Sequence, residues 1–452
     1  MKNIFKRLLN VKGMVVEDVS IDDSPLRDAP VLVARVRCRK AALRCSRCGR
    51  KCPKYDDGGG DRRWRHQDFG CYRVELVGPA PRVECRVHGV VVSRVPWAEP
   101  GSRFTRDFEM ECAWLMTVAD QKTVSGFLHI AWRTAGHIAR RIADRLESSM
   151  PCMFDGLHAI GVDETSHRKG HTYITVVVDH ERKRVVWAHD GYGKQVLDLF
   201  FEGLTPGQRA SIKAVTGDGA RWIDSSVAEH CPNAERVLDS FHIVSWMTDA
   251  LDRVRKRLWN QARHDRDKER VDAMRGVEYA VLRNPSDLTD KQDAALETLG
   301  DTDPKGQLYR SWQLKELLRT LPHQPVEQAE AELRRWIFWA SHSRIPEIVE
   351  LCRKIRRRRD DILRTIRLGY SNARLEAFNN RIKVTIRMAY GFHHVDSLIA
   401  MIKLRCSCLP IRLPAPSSDP RKQQKPLKSQ WLLLSSRVRK WVPVSRLEVR
   451  HI

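Results

Sequence analysis

Between Leu157 and Leu258 the sequence passes through three short apolar strands and then alternates strand with helix, an order that leaves few folds open. The strands read LHAIGVDE, TYITVVVD and RVVWAHDG; after them come the helix KQVLDLFFEGL, the strand IKAVTGDGA, the helix WIDSSVAEHC, the strand ERVLDSF and the helix HIVSWMTDALDRVRKRL. The first three are linked tightly enough to form antiparallel hairpins. The later strands are separated by whole helices, so they return to the sheet as parallel crossovers. The pattern β-β-β-α-β-α-β-α therefore predicts a mixed sheet with helices on it.

This is the strand order of a ribonuclease-H-type sheet, in which the ends of the first and fourth strands lie side by side at the centre. Asp163 ends the first strand and Asp218 the fourth, where Gly217 and Gly219 allow a sharp turn. Two carboxylates so close repel each other, and a divalent cation resolves the repulsion. A third ligand is expected from the late helix NARLEAFNNRIKVTIRM. There Leu375, Phe378, Ile382 and Ile386 form an apolar face, and Glu376, Asn379, Asn380, Lys383 and Arg387 the polar one. Asp163, Asp218 and Glu376 are thus expected to hold two Mg²⁺ (or Mn²⁺) ions about 3.5–4 Å apart, the arrangement for in-line attack on a phosphodiester. Lys383 and Arg387 would grip flanking phosphates. Glu164, Asp179, Asp190 and Asp224 read as solvated turn or cap residues. Asp239 and His242, in DSFH, stand near the same sheet edge, which suits a supporting role beside a phosphate or a metal ligand.

Upstream, Cys45-x-x-Cys48-Gly49 and Cys85-x-x-His88-Gly89 form two knuckles with the spacing of tetrahedral zinc. Four protein ligands leave no open position, so the expected Zn²⁺ is structural; Cys52 remains an alternative to one of the four. The stretch between the knuckles has room for a β-hairpin and turn, with GGGDRRW as a turn signal. Next, DQKTVSGFLHIAWRTAGHIARRIADRL reads as a helix-turn-helix. Its second helix turns Ile138 and Ile142 to a core and Arg133, His137, Arg140 and Arg141 outward, toward a DNA major groove and its phosphates. The formal net charge of +24 is spread along the chain and points to a phosphate-rich partner. No apolar run reaches the length of a membrane span.

The chain thus divides into a zinc-binding domain (1–100), a helix-turn-helix region (101–150), a first catalytic part (151–260), a helical insertion (261–345), a second catalytic part with the glutamate helix (346–412) and a poorly ordered extension (413–452). The same motifs in the same order, from CSRCGRKC through GVDETSHRKGHTYITVVVD and VLDSFHIV to SNARLEAFNNRIKVTIRMAYGF, resemble bacterial insertion-sequence transposases of the ISL-three family over about residues 40–412. The resemblance implies a DDE enzyme with Asp163, Asp218 and Glu376 as its acids. It further implies metal-dependent cleavage of double-stranded DNA at terminal inverted repeats and transfer to a target. A homodimer working in the bacterial cytoplasm, at the nucleoid, is the expected setting. Two other readings compete: a ribonuclease-H-like nuclease without strand transfer, and an inactive transposase-derived DNA-binding protein.

Overall fold

The computed structural model describes residues 2–415 apart from Asn10, Lys12, Lys169, His171, Asp239, 300–304 and 370–372. Nearly all of the 413–452 extension lies outside the described residues. The chain forms two compact units, Met1–Pro151 with Val384–Ile452, and Cys152–Lys383.

The first unit begins with helix α1 (Lys2–Leu9) and strands β1 (Met14–Ser24) and β2 (Arg27–Cys38), which join β5 (Tyr72–Pro79) and β4 (Asp61–Phe69) in a four-stranded sheet of order β1-β2-β5-β4. The β4–β5 hairpin is the one expected between the knuckles, but it turns at Gly70, while Gly58–Gly60 serve as the approach to β4. Short strands β3 (Lys54–Asp56), β6 (Arg82–Cys85) and β7 (Gly89–Val92) make a second sheet. Both pack on one core in which Trp64 and Trp97 meet edge-to-face at 5.3 Å.

Three helices follow: α2 (Arg106–Val118), α3 (Gln121–Phe127) and α4 (Trp132–Ser148). The first two starts have a local cause. Thr105 accepts a hydrogen bond from the Phe108 amide, and Asp120 accepts from the amides of Lys122 and Thr123, so both satisfy otherwise orphaned helix donors. On α4, Ala135, Ile138, Ala139, Ile142, Ala143 and Leu146 are buried at helical spacing.

In the second unit, β8 (Ala159–Arg168), β9 (Thr172–Asp179) and β10 (Arg184–Asp190) are antiparallel neighbours, and β11 (Ala214–Gly217) and β12 (Glu235–Leu238) add parallel strands, in the order β10-β9-β8-β11-β12. The crossovers are α5 (Lys194–Glu202) with α6 (Pro206–Ser211), then α7 (Arg221–His230). This is the mixed sheet expected from the strand order. Val176, Val177 and Val178 are buried on both faces of β9, as an inner strand requires.

Beyond β12 the unit is helical: α8 (Ser240–His264), α9 (Lys268–Gly276), α10 (Glu278–Leu282), α11 (Asp290–Glu297), α12 (Gln307–Thr320), α13 (Val326–Ser341), α14 (Pro346–Arg357) and α15 (Arg359–Leu368). They share one core that includes Met247, Leu251, Leu258, Leu318, Leu333, Trp336 and Ile355. Helix α16 (Ala373–Met388) carries the expected glutamate, and α17 (Val395–Cys406), assigned from sequence to the second catalytic part, packs in the first unit against α4, where Lys403 pairs with Glu147 at 2.6 Å.

Candidate active site, metal centre and DNA-binding helices

The zinc-ligand candidates come together as the spacing implied. Donor atoms of Cys45, Cys48, Cys85 and His88 all lie within 4.8 Å of one another. The Cys48–Cys85 sulfurs are 3.7 Å apart, and His88 Nδ1 is 3.6 Å from each of the Cys45 and Cys85 sulfurs. A tetrahedral zinc with bonds of about 2.3 Å to sulfur and about 2.0–2.1 Å to nitrogen has edges of about 3.8 Å (S···S) and about 3.6 Å (S···N), so the cage has the dimensions of that ion. Gly49 and Gly89, at φ of 69° and 65°, supply the left-handed turn of each knuckle. The Val87 amide, with His88 next to it, lowers the Cys85 thiol to about 6, which favours the ligating thiolate. Cys52, the alternative ligand, lies outside this group and its thiol donates to the Arg50 carbonyl at 3.4 Å. Burial raises Cys38 and Cys112 to about 12, so those two are packing residues.

On α4, Arg133 and His137 are exposed and Arg140 is half-buried. Arg141 is exposed as well, and it has an additional task within the unit. Its guanidinium pairs with Glu109 of α2, a fully buried carboxylate that also accepts from Ser102 Oγ at 2.5 Å. A buried acid needs a cation, and the arginine one helix away supplies it.

The two aspartates are aligned by sheet register. β8 and β11 pair as Ala159↔Ala214, Ile160↔Val215 and Gly161↔Thr216, so Asp163 and Asp218 each stand two residues further along neighbouring parallel strands. Asp163, expected to end its strand, lies within β8, which runs on to Arg168, and alternation puts it on the face of Gly161 and Thr165. Asp218 follows the end of β11 and accepts from the Ala220 amide at 3.0 Å, which opens the turn into α7.

Helix α16 docks on the same face. Asn379, one turn beyond Glu376, donates its amide to the Asp163 carboxylate, and its carbonyl accepts from Thr165 Oγ1 at 2.9 Å. Leu375 packs over Gly161 so closely that a Cβ there would lie 2.1 Å from Leu375 Cδ1. Leu375, Phe378 and Ile382 are buried and Lys383 and Arg387 are exposed, in keeping with the expected faces. Glu376 itself is half-buried. Among the described residues, Cys45, Cys48, Cys85 and His88 are the sole group of three or more ligand-type residues gathered within 4.8 Å; Asp163, Asp218 and Glu376 are not drawn together to that closeness.

Glu164, read as a solvated turn or cap residue, is not solvated but does meet a helix start. It points from the opposite face of β8, half-buried, and accepts from the Gly193 amide at the start of α5 at 2.9 Å. Burial raises its carboxyl, and the charges of Asp218 and Asp163 raise it further. Asp179 does cap a turn, accepting from the amides of Glu181 and Arg182. Asp224 is engaged by Arg236 at 3.1 Å and Arg358 at 2.6 Å.

Several residues around Asp218 were not legible in the sequence. Buried Arg236 donates to the carbonyls of Asp218, Val215 (3.2 Å) and Val237 (2.6 Å), tying together the ends of β11 and β12. Arg358 donates to the Gly219 carbonyl at 3.0 Å. Lys354 stacks on the Trp246 ring at 3.4 Å. Burial pushes its ammonium below the usual lysine range, Arg358 adds to that effect, and Asp218 opposes it. Of the expected supporting pair, Asp239 lies outside the described residues; His242 is on α8, and its side chain is not among those described.

The three modules have counterparts in known families. Residues 160–402 match a family model described as a transposase, 93–143 the helix-turn-helix domain of transposase family ISL3, and 42–88 the zinc-finger of transposases IS204, IS1001, IS1096 and IS1165. The chain is 40% identical over 427 residues to the transposase for insertion sequence element IS1557 of Mycobacterium tuberculosis, covering 89% of this chain and 96% of that protein. It is 28% identical over 410 residues to the transposase for insertion sequence element IS1001 of Bordetella parapertussis, covering 90% of this chain and 98% of that one. Among the described residues no helix is long and apolar enough to cross a membrane. On these matches and the modules that carry them, the chain belongs to the ISL3 family of insertion-sequence transposases.

Proposed function

We propose that Asp163, Asp218 and Glu376 are the catalytic acids of this DNA-binding transposase and that they hold two Mg²⁺ (or Mn²⁺) ions. The reaction is cleavage at the element's terminal inverted repeats and joining of the freed 3′ ends to target DNA. One observation carries the reading: Asp163 within β8 and Asp218 just past the end of β11 each stand two residues beyond the last pair of neighbouring parallel strands, and the helix bearing Glu376 is hydrogen-bonded to the first of them through Asn379. The donor set suits a hard divalent cation, since all three ligands are carboxylates. Burial is the main cause of the raised Glu164 carboxyl, and the neighbouring charges of Asp218 and Asp163 add to it.

Bound there, divalent ions supply Lewis acidity, which activates water or a 3′-hydroxyl and neutralises charge on the departing oxygen. The chain's own residues position that chemistry. Asn379 orients the Asp163 carboxylate, and Arg236 and Arg358 hold the backbone of the Asp218–Gly219 turn. Lys383 and Arg387 are assigned to phosphates beside the cut, and Arg133, His137, Arg140 and Arg141 to the duplex of the element end. The ribbon's four ligands are assigned a structural Zn²⁺. Two ends cut in concert call for a homodimer, and chromosomal DNA as substrate sets the enzyme in the bacterial cytoplasm at the nucleoid.

The test uses oligonucleotides from the flanks of the element, with nicked and joined products resolved separately. Glu376→Gln and Asp218→Asn are expected to lose both products by on the order of 10³-fold while end binding is retained. Metal-dependent cleavage that persists in Glu376→Gln overturns the assignment.

A further inference from the structure

Between α12 and α13 of the helical insertion lies a cleft of about 730 Å³, walled by Trp312, Leu317, Phe338 and Trp339 and flanked by Arg310 and Arg335. Phe338 and Trp339 are 60% and 47% exposed, a large apolar surface for two consecutive helix residues. Their surroundings are cationic as well as aromatic. The Arg335 guanidinium lies 5.1 Å from the centre of the Trp339 ring, and the His342 ring 4.4 Å from that of Phe338. Trp312 closes the wall from the core side, its indole N–H buried and without an acceptor among the described residues. The acid in the lining, Glu316, is neutralised by Lys315 at 2.8 Å and Arg319 at 2.7 Å, so it does not repel an anion.

We infer that this cleft binds an unpaired base of the DNA substrate, stacked on Phe338 and Trp339 with its phosphate toward Arg310 and Arg335. Charge and shape both favour this occupant. Exposed flat rings beside arginines are the elements of sequence-tolerant recognition of unstacked bases. Bases inside a duplex are stacked on each other and cannot enter a cleft, so the occupant is a base freed at a strand end or turned out of the helix. The inference rests on the family's DNA-binding activity and not on the identity of the three acids.

The probe is a duplex from the element flank with 2-aminopurine as an unpaired nucleotide next to the cut position, mixed with the full chain. Its fluorescence is expected to quench on binding, and affinity to exceed that for the fully paired duplex. Phe338→Ala with Trp339→Ala should abolish the quench and weaken binding of the unpaired probe about tenfold or more, with the paired duplex unaffected. Phe338→Tyr with Trp339→Phe should retain the quench, which separates loss of stacking from loss of fold. Asp163→Asn should also retain it, so failure of the catalytic assignment leaves this result standing. Equal weakening of paired and unpaired probes, a quench unchanged in the alanine variant, or conversion of a dimer to monomers by that variant would overturn the inference, the last by making the cleft a subunit contact.

Discussion

Substituting Gly161 by alanine probes the dependence of the Glu376 helix on the sheet beneath it. The new methyl would lie 2.1 Å from Leu375 Cδ1, 2.8 Å from His180 Nε2 and 3.0 Å from Thr216 Oγ1. Carbon atoms pack at about 3.5–4.0 Å, so Leu375 must retreat by about 1.5 Å. None of the three neighbours has slack: Leu375 is 3% exposed, and His180 is buried and hydrogen-bonded to Thr216 at 2.8 Å. The overpacking should cost about 1–3 kcal/mol of stability. Because Leu375 precedes Glu376, its displacement moves the glutamate, and about 1 Å of misplacement costs on the order of 10²-fold in rate. The assay is strand cleavage on an element-end oligonucleotide, alongside urea unfolding and end binding. Gly161→Ala should lose cleavage about a hundredfold with end binding intact. Adding Leu375→Ala should restore most of that activity, because it removes the colliding side chain, while lowering stability by about 2–5 kcal/mol. Full activity in the single variant, or no recovery in the double variant, would refute the link between this glycine and the glutamate.

Three further expectations concern the first unit. Cys45→Ser should abolish stoichiometric zinc, read by elemental analysis, and unfold the ribbon, since the metal's binding energy is folding energy there; zinc content unchanged in the variant would contradict the ligand set. Arg133→Ala should leave stability within about 0.5 kcal/mol and reduce the salt slope of end binding by about 1, whereas Arg141→Ala should cost about 1–3 kcal/mol in urea unfolding by stranding buried Glu109. His66, buried and beside Arg65, is held down to about 4, so between that value and its ordinary 6.5 the unfolded chain binds the extra proton. Stability should therefore fall as pH drops below 6.5, by about 2 kcal/mol at pH 5, and His66→Gln should remove that part of the pH dependence; equal slopes for both proteins would count against it.

Much of the fold could be read from spacing alone. The hairpin-linked strands, the crossover helices, the two knuckles and the apolar stripe of α4 all repeat over two to four residues, which is the range over which backbone geometry acts. The polar residues were harder to read. Arg141 and Arg133 share a helix, a residue class and exposure to solvent, yet Arg141 also neutralises a buried acid. Glu164 read as a solvated turn or cap residue because it is acidic and near a strand end, while the burial that raises it, its partner Gly193 and the charge of Asp218 are supplied by other elements.

By itself the sequence determined the order of the elements, the Cys/His knuckles and the family, because each is a local pattern of side-chain chemistry along the chain. Only the tertiary structure decided that Asn379 meets Asp163, that Leu375 needs a glycine beneath it, that Arg236 holds the Asp218 turn, and that Phe338 and Trp339 flank an open cleft. Charge pairing, steric fit and desolvation depend on distance through space, and that distance is set by how strands and helices pack rather than by separation along the chain.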